Sequence, residues 1–151
     1  MGQGKRHMQS RRLKDLQQLG GTFNLPSEAW ETRMFFIMCP DGVFLRYTNN
    51  AFPKTSKGED GRHPLFVLQA RKNFKHSCCP CSSKHHNPAD KRYIRQGCRL
   101  LPSLQTMDTN SNLIESSSFQ VPIGSEFDTY FLTGMCSWGV VPEECIKEHD
   151  K

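Results

Sequence analysis

The sequence predicts a small, mainly β domain, a compact barrel or sandwich with a few short helices. Three observations predict it. Apolar and β-branched residues fall in many short runs, and Pro, Gly, Asn and Ser clusters separate those runs. Helical periodicity is confined to a few short segments. The third is size: 151 residues, 36% of them hydrophobic, suit one domain with an appended arm. The expected division is a basic N-terminal arm with a short helix at 1–30 and a single β-rich barrel domain at 31–151.

The elements follow in order. At 9–19, Leu13, Leu16 and Leu19 fall on adjacent turns, Ser10 is placed to cap, and Gly20 and Gly21 stop the pattern. This predicts a short basic amphipathic helix. The run at 33–39 is almost continuously apolar and is closed by Pro40, Asp41 and Gly42, which predicts a buried strand and a turn. Residues 43–47 then read as the second strand of a hairpin. Residues 48–62, rich in Asn, Pro, Lys, Ser and Gly, predict an exposed loop. The clearest strand is 64–69 (Pro-Leu-Phe-Val-Leu-Gln), followed by another at 74–81 with Pro80 at its end or on an edge. Residues 82–91 read as polar loop, 93–94 and 99–101 as weaker strands, and 119–123 and 129–132 as strands. Pro142 ahead of Glu143 and Glu144 predicts a short helix start.

No run of 18 apolar residues is present, and no apolar stretch follows the basic N-terminus. The expectation is a soluble cytoplasmic protein with neither a membrane span nor an export signal. Seven cysteines, an odd number, predict free or metal-bound thiols in a reducing compartment, with Cys39 and Cys136 as small core residues.

Charge is distributed by segment. Residues 71–100 carry eight Lys and Arg against one Asp, whereas residues 101–151 carry two basic and eight acidic groups. A basic block is either a solvated face or a polyanion footprint. On the second reading Lys72, Lys75, Lys84, Lys91, Arg92 and Arg95 would contact an RNA backbone. Tyr93 would then stack on a base, whereas Phe74, in the same block, reads first as a packing residue. Trp30 and Trp138 read as core or interface residues.

Two constellations carry chemistry. Cys78, Cys81, His85 and His86 offer four soft ligands within nine residues. Tetrahedral zinc takes such ligands, but structural sites draw them from two separated pairs, and the second pair is missing. Unligated strand cysteines are the other reading. The second constellation is a pair of strand ends. A Gly-rich acidic segment delivers Arg62 and His63 just before Pro64 and an apolar strand; a second strand ends in Cys-Pro-Cys-Ser82-Ser83-Lys84. Neighbouring strands ending this way can assemble one site on a rigid scaffold. Arg presents a planar fork of donors to a phosphate, and a hydroxyl beside it can bind the same group. A turn arginine paired with Glu59 or Asp60 is the structural alternative.

These two segments, in this order and spacing, resemble the PemK/MazF family of toxin endoribonucleases. That family shows a Gly-rich loop, Arg-Pro and an apolar strand, then a second strand ending in Pro-x-Thr-Ser. Arg62 matches the family's catalytic Arg. His63 separates it from Pro64, and Ser82 stands where the family has Thr. The resemblance covers residues 33–100. It implies an SH3-like barrel and metal-independent, sequence-selective cleavage of single-stranded RNA of the toxin–antitoxin type. The substrate's 2′-hydroxyl would attack the adjacent phosphate, Arg62 would stabilise the transition state, and Ser82 would hold the phosphate. RNA, an antitoxin protein and a second copy of the chain are the partners it implies. The base is not assigned by the resemblance; His63, His85 and His86 have the right chemistry. The competing class is a non-catalytic module in which Cys78, Cys81, His85 and His86 hold zinc and the basic strip binds nucleic acid or protein.

Overall fold

The computed structural model describes residues 21–47, 61–71, 73–84, 88–131 and 135–149. The expected helix at 9–19, most of the 48–62 loop, Lys72, His85 and His86 lie outside those residues. Within them the strands are β1 (Thr22–Phe23), β2 (Met34–Pro40), β3 (Arg62–Gln69), β4 (Lys75–Ser82), β5 (Arg92–Ile94), β6 (Ser111–Leu113), β7 (Phe119–Pro122), β8 (Cys136–Val140) and β9 (Ile146–Glu148). Two α-helices, α1 (Asp41–Tyr47) and α2 (Ser125–Phe131), and three single 3₁₀ turns complete the described chain.

The strands form a curled antiparallel half-barrel in the order β1-β8-β2-β3-β4-β6-β5-β9, with β7 also on β4. β4 makes the turn between partners. Its first half pairs with β7, as Cys78 opposite Phe119, and its second half with β6, as Cys81 opposite Leu113. Pro80, which has no N–H for a ladder, sits at the changeover rather than at an end or an edge. The fold also reaches N-terminal of residue 31: β1 pairs with β8, and Trp30 is fully buried.

Both faces of the central strands are covered, which is why their sequences are continuously apolar rather than alternating. Met34, Phe36, Leu65, Val67 and Cys78 face one layer with Trp30 and Phe119. Phe35, Phe66, Cys79, Cys81, Leu100 and Leu113 face the other. Each large side chain buried this way stabilises by about 1.5–3 kcal/mol. The sheet can therefore carry a few unpartnered polar atoms at about 1–3 kcal/mol each.

Two bulges shape the end that matters. Phe36 pairs with Leu65 but Cys39 pairs with His63, so β2 carries one extra residue, and Met38 adopts φ +70° there. The bulge reverses the alternation: Cys39 takes the inward face and Met38 is 48% exposed. On β8, Phe35 pairs with Gly139 and Phe36 with Ser137, which leaves Trp138 as the extra residue.

Four local expectations are corrected. Residues 43–47 belong to α1, not to a hairpin strand, because an acidic residue heads the segment and Phe44 packs on Phe119 at 5.9 Å. Residues 129–131 likewise end α2, where Phe127 meets Trp30 edge-on at 6.0 Å. The start at Pro142 makes only a 3₁₀ turn before β9. Cys98 and Cys145 are neither free nor metal-bound: they form a disulfide across a sequence separation of 47. The other five cysteines are buried thiols, Cys39 and Cys136 among them. No helix of the described residues is long and apolar enough to cross a membrane.

Candidate active site

β3 and β4 are antiparallel neighbours, so the first residues of β3 lie beside the last residues of β4. That places Arg62, His63 and Pro64 against Ser82, Ser83 and Lys84, around one cavity of about 680 Å³. Phe35 and Ile37 of β2, Trp138 of β8, Met107, Asp108 and Thr109 ahead of β6, and Ser111 at its start also line it.

Arg62 is exposed, and its Nη1 donates to the Met38 carbonyl at 3.0 Å. The β2 bulge thus anchors one edge of the guanidinium beside the cavity. A guanidinium carries five N–H donors in a rigid fork, suited to a phosphate. His63 is 20% exposed, and its Nδ1 lies 2.5 Å from Oδ1 of Asp41, a carboxylate only 1% exposed. Asp41 is the first residue of α1, and its backbone N–H donates to the Gly61 carbonyl at 2.8 Å, which ties the helix start to the start of β3. Oδ2 of Asp41 is buried with no hydrogen-bond partner. An imidazole held at Nδ1 by a carboxylate is oriented to exchange a proton at Nε2. Ser82 Oγ accepts from the Lys84 backbone N–H at 3.3 Å, which turns the chain at the mouth of the cavity.

The structure therefore brings Arg62, His63, Ser82 and Lys84 together. Of the other described basic residues of the block, Lys75, Lys91, Arg92 and Arg95 do not line that cavity. Lys75 opens β4 and Ser82 closes it, roughly 23 Å apart at strand rise. At that far end Phe74 is 62% exposed rather than packed, with the Lys75 ammonium 5.9 Å from its ring. Arg92 is held by both oxygens of Glu115, at 2.8 and 3.0 Å, and the same hydrogen bonds push its guanidinium further into the charged form. Tyr93 packs on His149 at 4.5 Å. Arg95 donates to the Gln96 carbonyl, and Lys91 is exposed.

The cysteines of β4 are core groups. Cys78 lies in one apolar layer and Cys79 and Cys81 in the other. Burial pushes the Cys78 and Cys79 thiols well up, so both are neutral. His76 is fully buried; it accepts from the Arg71 N–H at 3.1 Å and donates to the Ser27 carbonyl at 2.7 Å. Among the described residues no group of three or more His, Cys, Asp or Glu side chains is arranged to hold a metal ion. Cys39 lies near the site, but burial first, then Cys78 and Asp41, raise its thiol well above the ordinary range, with Arg62 opposing. A neutral thiol is a poor nucleophile.

Sequence reasoning missed Asp41, Trp138 and Asp108. Asp41 stood inside an apparent Pro-Asp-Gly turn, and an acidic first residue of a helix was the signal that could have found it. Trp138 enters the cavity wall through a bulge, a property of strand pairing that one strand's sequence does not show. No family model, curated protein or solved structure matches the chain.

Proposed function

We propose that the chain is a metal-independent endoribonuclease of the toxin–antitoxin type, acting on single-stranded RNA at the Arg62–His63–Ser82 cavity. The observation that carries the reading is the convergence of an exposed arginine, a carboxylate-backed histidine and a strand-end serine on one cavity. It agrees with the PemK/MazF-like order of motifs, and the curled sheet agrees with an SH3-like barrel.

In the proposed reaction the 2′-hydroxyl of the nucleotide attacks the adjacent phosphorus. His63 takes the hydroxyl proton at Nε2 as the O2′–P bond forms. Arg62 stabilises charge on the non-bridging oxygens, with the Ser82 hydroxyl donating to one of them. The P–O5′ bond breaks, and the 5′-oxygen leaves with a proton returned by the imidazolium. The products are a 2′,3′-cyclic phosphate and a 5′-hydroxyl. Side chains supply each role, so the step calls for no metal. Lys84 at the cavity mouth serves the RNA backbone; the split basic block contributes elsewhere on the surface or not at all.

RNA as substrate puts the working site in the cytoplasm. Five buried thiols suit a reducing compartment, and the buried Cys98–Cys145 bond is the exception to it. An antitoxin and a second copy of the chain are the protein partners of this reading. The zinc-module alternative gains nothing from the described residues, because Cys78 and Cys81 lie in different core layers.

The test is incubation of the purified protein with mixed single-stranded RNA in EDTA, beside Arg62→Ala and His63→Gln. Wild-type cleavage that falls on the order of 100–1,000-fold in Arg62→Ala supports the reading. Intact RNA with the folded wild type refutes it.

A further inference from the structure

We infer that the apolar half of the cavity is a nucleobase subsite for a base bearing an exocyclic amino group, stacked on Trp138 with its amino edge toward Asp108. The inference deepens the nuclease reading and rests on it for the role of the bound nucleotide.

Trp138 is the extra residue of the β8 bulge, and a bulge re-aims a side chain. Its backbone is fixed on both sides. The Ser103 hydroxyl donates to the Trp138 carbonyl at 2.5 Å, and Gly139 follows at φ +103°, a conformation that favours glycine. The indole packs on Phe35 at 5.9 Å, and its Nε1–H is buried without an acceptor. A phenylalanine here would leave no N–H unpartnered, so the indole carries a polar cost that apolar packing does not require. What the indole adds is a wide aromatic face on the cavity wall, and such faces bind unstacked bases.

The rest of the lining fits a nucleotide. Phe35, Ile37 and Met107 give an apolar floor, and about 680 Å³ lies within the range of ligand sites. The cationic groups, Arg62 and Lys84, come from the β3 start and the loop after β4. Asp108, an exposed carboxylate on the same lining, comes from the segment before β6. A carboxylate beside a phosphate cradle repels the RNA backbone, but it accepts hydrogen bonds from a base amino group. Cytosine, adenine and guanine carry that group; uracil does not.

The experiment is a titration of the full-length protein with CMP, AMP, GMP and UMP, read by indole fluorescence. Trp30 is fully buried, so a ligand-dependent change reports Trp138. The inference predicts that the three amino-bearing nucleotides bind about tenfold or more tighter than UMP. It predicts further that Asp108→Ala, a change at an exposed position, removes the difference. Equal binding of UMP, a preference that survives Asp108→Ala, or no fluorescence change with any nucleotide overturns it. RNA cleavage measured on the same samples separates the two claims. A base preference without cleavage keeps the subsite and removes the nuclease; cleavage without a preference does the reverse.

Discussion

Nδ1 of His63 lies 2.5 Å from Oδ1 of Asp41, and the carboxylate is closed off from solvent while the imidazole faces the cavity. The pair joins the start of α1 to the start of β3, two segments about twenty residues apart. A buried carboxylate with one oxygen unpartnered is a cost to the fold, and in the proposed reaction the return is an oriented His63. On the proposed nuclease reading Asp41 acts through His63, as a positioning residue.

Asp41→Asn should therefore lower kcat by on the order of 100–10,000-fold while KM changes less than about threefold. A purely structural role would instead lower the unfolding midpoint and leave the folded fraction with normal kcat. Steady-state kinetics beside a thermal melt distinguishes the two.

Gly139 holds the bulge that presents Trp138. A Cβ there would collide with the carbonyl oxygen of Leu101, the partner that accepts from the Val140 N–H at 2.7 Å. Gly139→Ala should cost about 1–3 kcal/mol from backbone strain alone. In urea the midpoint should fall with the m-value unchanged; an unchanged midpoint would mean that the backbone is not held in this conformation.

The Cys98–Cys145 disulfide fixes a thiol count. Five cysteines should react with an aqueous thiol reagent after denaturation without reductant, and seven after reduction. The native protein should react at almost none of them near neutral pH, because all five thiols are buried. Loss of the bond should destabilise by about 4 kcal/mol for a loop of this length. Seven thiols without reductant would refute the bond.

Stability should fall in alkali. Burial raises the Cys39, Cys78 and Cys79 thiols well above 9.0 and pushes Cys136 up to about 11. The unfolded chain releases these protons near pH 9 while the folded chain keeps them, so unfolding is favoured as pH rises. The contribution is complete at neutral pH and is lost across roughly pH 9–11. Melting midpoints should drop over that window, and the drop should be shallower in Cys136→Ala. A flat profile would show that these thiols are not desolvated.

The central strands and the convergence of Arg62 and Ser82 on one cavity were legible because they depend on local signals. A continuous apolar run marks a strand buried on both faces, and polar groups just outside two such runs mark strand ends. Residues 43–47 and 129–131 were not legible, because a short apolar run fits a helix turn as well as a strand and only the packing of Phe44 and Phe127 decides. The turn of Trp138 into the cavity and the exposure of Met38 depend on a one-residue mismatch between strands. The basic block looks continuous in sequence, yet one strand length separates Lys75 from Ser82. Cys98 and Cys145 carry no spacing signal, since they stand 47 positions apart and the fold alone brings them together.

The most direct test of the central claim is end-group analysis of RNA cut by the purified protein in EDTA, beside an all-deoxy strand of the same sequence. Fragments with 2′,3′-cyclic phosphate and 5′-hydroxyl ends, with the deoxy strand intact, are the predicted result. Intact RNA, or 5′-phosphate ends that form only with divalent metal, would contradict it.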